Sequence, residues 1–111
     1  MTRSRMTPAT FELVAARFKA FGEPARLRIL YALRQRGHTV SELIDATGLE
    51  QANLSRHLQQ LLALGFVSRV KRGQFAHYTL ADRDVLGVCD LMCGRLARES
   101  AAQLSASGRS R

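Results

Sequence analysis

The chain has 111 residues, 46% of them hydrophobic, with 17 Lys and Arg against 9 Asp and Glu for a formal net charge of +8. That length holds one compact domain with a real core, which excludes a multidomain enzyme, a wholly disordered basic tail and a disulfide-stapled miniprotein. So positive a balance points to a polyanionic partner, most simply nucleic acid, and the longest apolar run, Leu61 to Val67, is far below the ~18 residues of a bilayer span.

Residues 1–10 and 105–111 are rich in Ser, Thr and Arg and are expected to be flexible tails around a folded domain over 11–104. No apolar stretch follows Arg3 and Arg5, so a secretory signal is not expected. Two cysteines without one fit the reducing cytoplasm. Phe11, Val14, Phe18 and Phe21 recur on one face of a first helix, which Gly22 ends. Pro24 suits the first turn of a second helix, whose Leu27, Leu30 and Leu33 face the core and which is expected to run to Gly37.

Thr39-Val40-Ser41-Glu42 spells a capping box, opening a short third helix that carries Leu43 and Ile44 and stops at Gly48. A fourth helix is expected over 51–64, with Leu54, Leu58 and Leu61 on one stripe and Gly65 as its stop. The pattern then shifts to short β-forming stretches, 66–71 and 74–80, separated by Arg72-Gly73, which makes a hairpin with a basic tip. A last helix is expected over 82–102, with Val85, Cys89, Met92 and Leu96 on its apolar stripe. Gly87 and Gly94 lie seven apart on its opposite side, and each weakens the helix unless something packs closely there. The order is that of a winged helix-turn-helix domain, mainly α with a β-hairpin wing.

Stepping the fourth helix at 100° per residue turns Ala52, Arg56, Gln59 and Gln60 away from its leucines, with Asn53 and Ser55 flanking them and Gln51 at its start. Arg pairs bidentately with guanine, and Gln or Asn with adenine, so this face holds groups suited to the major groove. Alone it would equally be a solvated helix face. The preceding turn and the following basic hairpin favour DNA. On the hairpin, Arg69, Lys71, Arg72 and Gln74 suit phosphate contacts, and such cations also protect an edge strand from pairing.

His38, His57 and His77 share no ligand-like spacing, and His57 falls towards the buried side of its helix, so no metal site is expected from them. No nucleophile triad, phosphate loop or carboxylate pair stands out, and an enzyme is not expected. Cys89 and Cys93 lie one turn apart on the last helix, within reach of one soft ion or oxidant. The other reading is that they only pack, since free Cys behaves as a small hydrophobe.

Three blocks resemble the ArsR/SmtB repressors. Phe18 to Leu30 is similar to that family's "FKALGDPTRLRIL" run. Val40 to Leu43 with Gln51 to Leu58 resembles its helix-turn-helix, and Arg72 to Leu80 its wing. The resemblance covers roughly residues 11–98. It implies a homodimer joined through the first and last helices, bound to double-stranded operator DNA and released by an inducer.

The family's sensor sites match only in part. Where arsenite repressors have "CVCDL", this chain has Thr39-Val40-Ser41-Glu42-Leu43. The zinc-sensor positions read Asp82, Asp84, Arg95 and Arg98, and arginine binds no cation. A persulfide sensor of the family pairs its last-helix thiol with one on the second helix, near where Tyr31 stands here. Cys89 and Cys93 are therefore the candidate sensor, for arsenite or a similar thiophilic metal ion, with no cofactor required. The rival readings are reactive oxygen or sulfur species at the same thiols, a regulator without a small-molecule sensor, a basic RNA- or ribosome-binding protein, and a small thiol redox enzyme.

Overall fold

The protein is represented by a computed structural model that describes residues 6–107, with side chains described through residue 102. Its elements are α1 (Pro8–Phe21), α2 (Pro24–Ala32), β1 (His38–Thr39), α3 (Val40–Thr47), α4 (Gln51–Ala63), β2 (Val67–Arg72), β3 (Phe75–Leu80) and α5 (Asp84–Ser107). The strands form one antiparallel sheet in the order β1-β3-β2. No helix of the described residues is long and apolar enough to cross a membrane.

Both ends of the folded region reach further than their composition suggests. The Thr7 hydroxyl accepts from the Thr10 amide at 3.2 Å, and Pro8 fills the first turn, where a missing N–H costs nothing. Thus α1 starts three residues before Phe11. At the other end α5 continues through Ser107, so residues 105–107 are helical rather than tail. The rest of both expected tails lies outside the described residues.

The core is built by α2, α3, α4 and the base of the sheet. Ile29, Leu30, Leu43, Leu54, Leu58 and Leu61 are fully buried, with Leu33, Val67, Tyr78 and Val85 packed around them. Leu27 is exposed, and Ile29 takes the core position instead. The Phe21 and Phe66 rings stack at 4.8 Å and dock α1 on the start of β2.

The second helix ends well short of Gly37. Leu33 is its C-cap, the Arg34 guanidinium donates to Tyr31 O at 3.0 Å, and the chain then extends into β1. Gly37 serves a different purpose from a helix stop. A Cβ there would lie 2.8 Å from Thr79 Cγ2 and 3.1 Å from the Tyr78 carbonyl oxygen, so only glycine lets this segment approach β3.

The capping box forms as written. The Glu42 amide donates to Thr39 Oγ1 at 3.2 Å and the Thr39 amide to Glu42 Oε1 at 3.0 Å. Gly48 then adopts φ 75°, a left-handed conformation in which its N–H closes on Ile44 O at 2.8 Å, and three residues later α4 begins. At the far end of α4 the amides of Gly65 and Phe66 bond back to Leu62 O and Leu61 O, turning the chain into the wing. Arg72 pairs with Phe75, so the hairpin tip is Gly73-Gln74, one residue later than expected.

Candidate nucleic-acid interface and thiol cleft

The helix-turn-helix presents α4 as a two-sided element. Leu54, His57, Leu58 and Leu61 are buried, whereas Gln51, Asn53, Ser55, Arg56, Gln59 and Gln60 are all exposed. Arg69, Lys71, Arg72 and Gln74 are exposed on the wing. The start of α4 and the tip of the wing border a common groove: Gln51 and Gln74 line about 540 Å³ with Ser41 of α3 and Phe75. Residues 51–81 carry Arg56, Arg69, Lys71 and Arg72 and not one Asp or Glu. A stretch with cations, amides and no carboxylate is matched to a polyanion, with exposed Glu50 at the N-cap of α4 just outside it.

Three of the candidate base-reading side chains, Asn53, Arg56 and Gln60, are already engaged. Arg56 Nη2 donates to Asn53 Oδ1 at 3.3 Å along one edge of α4. Gln60 Oε1 accepts from Nη2 of Arg26 on α2, and Arg26 Nε donates to His57 Nδ1 at 3.1 Å. Because guanidinium only donates, His57 Nδ1 is unprotonated and the ring proton sits on Nε2. Burial, with Arg56 and Arg26 nearby, lowers the His57 pKa and keeps it neutral. Arg26 has no signal in the sequence for this role, since its partners lie 31 and 34 residues away.

The histidines do not converge. His38 Nδ1 contacts Arg36 O at 3.0 Å, His57 is committed to Arg26, and His77 lies within β3. No group of three or more His, Cys, Asp and Glu among the described residues could hold a metal ion.

The cysteines line a cleft of about 770 Å³ between α2 and α5. Leu27, Tyr31, Leu86 and Met92 are among its apolar lining residues, and Arg28, Arg34 and Arg83 line it as well. Tyr31, set beside Arg34 with the guanidinium 3.7 Å from the ring centroid, occupies the α2 side facing the thiols. Cys89 is half-buried and Cys93 exposed. Burial, followed by the Cys93 and Asp90 charges, pushes the Cys89 thiol up, so it is not an activated thiolate.

Val85 does not belong to an outward stripe. It is 7% exposed and packs in the core, whereas Phe11, Phe18, Leu91, Met92 and Leu96 are 55–77% exposed. Among the described residues, nothing outside the helix's own backbone lies within 4 Å of a Cβ built at Gly87, so α5 keeps an open side there.

Residues 23–69, from the entry to α2 into β2, match the family model described as bacterial regulatory protein, arsR family. The arsenical resistance operon repressor of Bacillus subtilis (strain 168) is 37% identical over 73 residues, which cover 65% of this chain and 70% of that protein. The crystal structure of Rv0081 from Mycobacterium tuberculosis is similar with a TM-score of 0.77 and 34% identity, over 89% of this chain and 99% of that one. A homodimeric winged helix-turn-helix DNA-binding domain, Mb0332 from Mycobacterium bovis, gives a TM-score of 0.71 at 27% identity, over 98% and 95% of the two chains.

Proposed function

Because this chain belongs to the arsR family of bacterial regulatory proteins, we propose that it is a homodimeric repressor holding a two-fold operator in double-stranded DNA with α4 and the wing. Family membership makes it a transcriptional regulator rather than an enzyme. The observation that carries the operator contact is the carboxylate-free stretch 51–81, which places the exposed face of α4 beside an exposed basic hairpin. Arg56, Gln59 and Gln60, with Gln51, Asn53 and Ser55 around them, meet base edges. Arg69, Lys71, Arg72 and Gln74 hold the backbone. The folded unit responsible begins at Pro8 and continues through α5.

Release is assigned to Cys89 and Cys93. Two thiols one helical turn apart form a soft donor pair, and the cleft leaves them reachable. Arsenite exchanges hydroxide for thiolate and releases water, so a protonated thiol is a competent ligand. A disulfide between residues four apart on one helix would have strained side-chain torsions, which favours a metalloid bridge over oxidation. The likeness to an arsenical resistance repressor supports this choice of inducer.

Selection from a randomised duplex library tests the DNA assignment. An imperfect palindrome is expected, bound in preference to single-stranded RNA. Arg56→Ala should lose about 1–3 kcal/mol on the selected duplex and discriminate less among sequences. Equal losses on selected and random duplexes would refute the role given to Arg56.

A further inference from the structure

Of the four exposed carboxamides of α4, two, Asn53 and Gln60, have their oxygen held by a guanidinium. Asn53 Oδ1 takes its hydrogen bond from Arg56, and Gln60 Oε1 takes its own from Arg26. The assignment of oxygen rather than nitrogen follows from chemistry, because Arg offers donors only. Arg26 is in turn anchored, since its Nε bonds to a His57 ring that is 4% exposed in the core. One residue of α2 therefore spans two residues of α4, three apart and so on neighbouring turns: a buried ring that fixes the guanidinium and an exposed amide that the guanidinium orients.

We propose that Arg26 is a specificity-determining positioning residue, which fixes Gln60 as a hydrogen-bond donor so that the operator position it meets is guanine in preference to adenine. The inference rests on α4 being the reading helix and names what that helix reads. Bidentate recognition of adenine needs the amide oxygen to accept from N6 and the amide nitrogen to donate to N7. With Oε1 tethered to Arg26, the nitrogen is left to face the groove. Guanine presents two acceptors there, O6 and N7, whereas adenine sets its own N6 donor against the Gln60 donor. The charge of Arg26 also polarises the amide and strengthens its N–H as a donor. The expectation that Gln60 pairs with adenine, drawn from residue type alone, is thereby reversed.

The test is duplex selection by the purified chain and three variants, reading base preference position by position rather than affinity alone. The parent should favour guanine over adenine by about three- to tenfold at one position in each half-site. Gln60→Ala should level that position and leave the others. Arg26→Met, with helicity and oligomeric state checked, should move the same position towards adenine, because Oε1 is freed. Gln60→Glu keeps its Arg26 partner but offers only acceptors, so the position should move to cytosine or adenine. The proposal is overturned if Gln60→Ala levels a position whose preference Arg26→Met leaves intact. If Arg26→Met does not fold, Gln60→Glu decides: a position that stays guanine overturns it. If Gln60→Ala alters no position, the placement of Gln60 on the DNA falls first, a separate and recognisable failure.

Discussion

His57 stays neutral in the fold because burial disfavours its charged form, with Arg56 and Arg26 adding repulsion and Glu23 working the other way, while its Nδ1 accepts from Arg26. Its folded pKa lies below the ordinary 6.5, so the unfolded chain takes up the proton first as pH falls. The stability this supplies is complete above the unfolded value and is lost as pH drops through it towards the folded value. Urea unfolding between pH 8 and pH 5 should show a decline beginning near 6.5 that His57→Leu removes; a parent with flat stability over that range would contradict it. Gly37 makes a steric claim of the same kind. Gly37→Ala should destabilise by about 1–3 kcal/mol, because the new methyl meets the Tyr78 carbonyl at 3.1 Å as well as the Thr79 methyl. Thermal melting checks this, and an unchanged midpoint would show that the β1 segment can move aside. Neither result could be read from the sequence, because Arg26 and Gly37 act on partners more than 30 residues away.

Elements with local signals were legible, and those that depend on distant pairing were not. The capping box of α3, the leucine stripe of α4 and the β-forming run of the wing each carry their cause within a few residues, and each forms, the wing with its tip one residue later than read. β1 is two residues long and exists through its pairing of His38 with Tyr78 and Thr39 with His77. No periodicity announces so short a strand. Its presence also explains the early end of α2: Leu33 continues the apolar spacing, but the chain must leave the helix to reach β3. The exposed face of α4 was legible as a face, whereas the bonding that orients Gln60 on it was not. For the wing, Lys71→Ala should weaken binding to all duplexes alike and lower the slope of log K against log salt by about one. A loss confined to the selected duplex would instead make Lys71 a reader of sequence.

A single copy leaves a large apolar surface uncovered. Phe11 and Phe18 on α1 and Leu91, Met92 and Leu96 on α5 are each more than half exposed, and α5 is open beside Gly87. Such a surface is expected to be buried between two copies, which would set the two α4 helices about one DNA turn, 34–36 Å, apart. Sedimentation at micromolar concentration should give a dimer, and Leu91→Lys with Met92→Lys should give a monomer with weakened operator binding. A parent that is monomeric yet binds the palindrome tightly would contradict the arrangement.

If α5, which carries the cysteines and lines the thiol cleft, also forms the dimer interface as proposed, a bond between the two sulfurs and a soft ion would alter the spacing of the reading helices. A coupling of about 1–3 kcal/mol would lower operator affinity some 5–150-fold. The most direct measurement is the affinity of the full chain for its selected duplex with and without arsenite, for the parent and for Cys89→Ser/Cys93→Ser. The account predicts equal affinities without arsenite and release of the parent alone when it is added. Release of both proteins at the same arsenite concentration would contradict it and leave the two cysteines as packing residues.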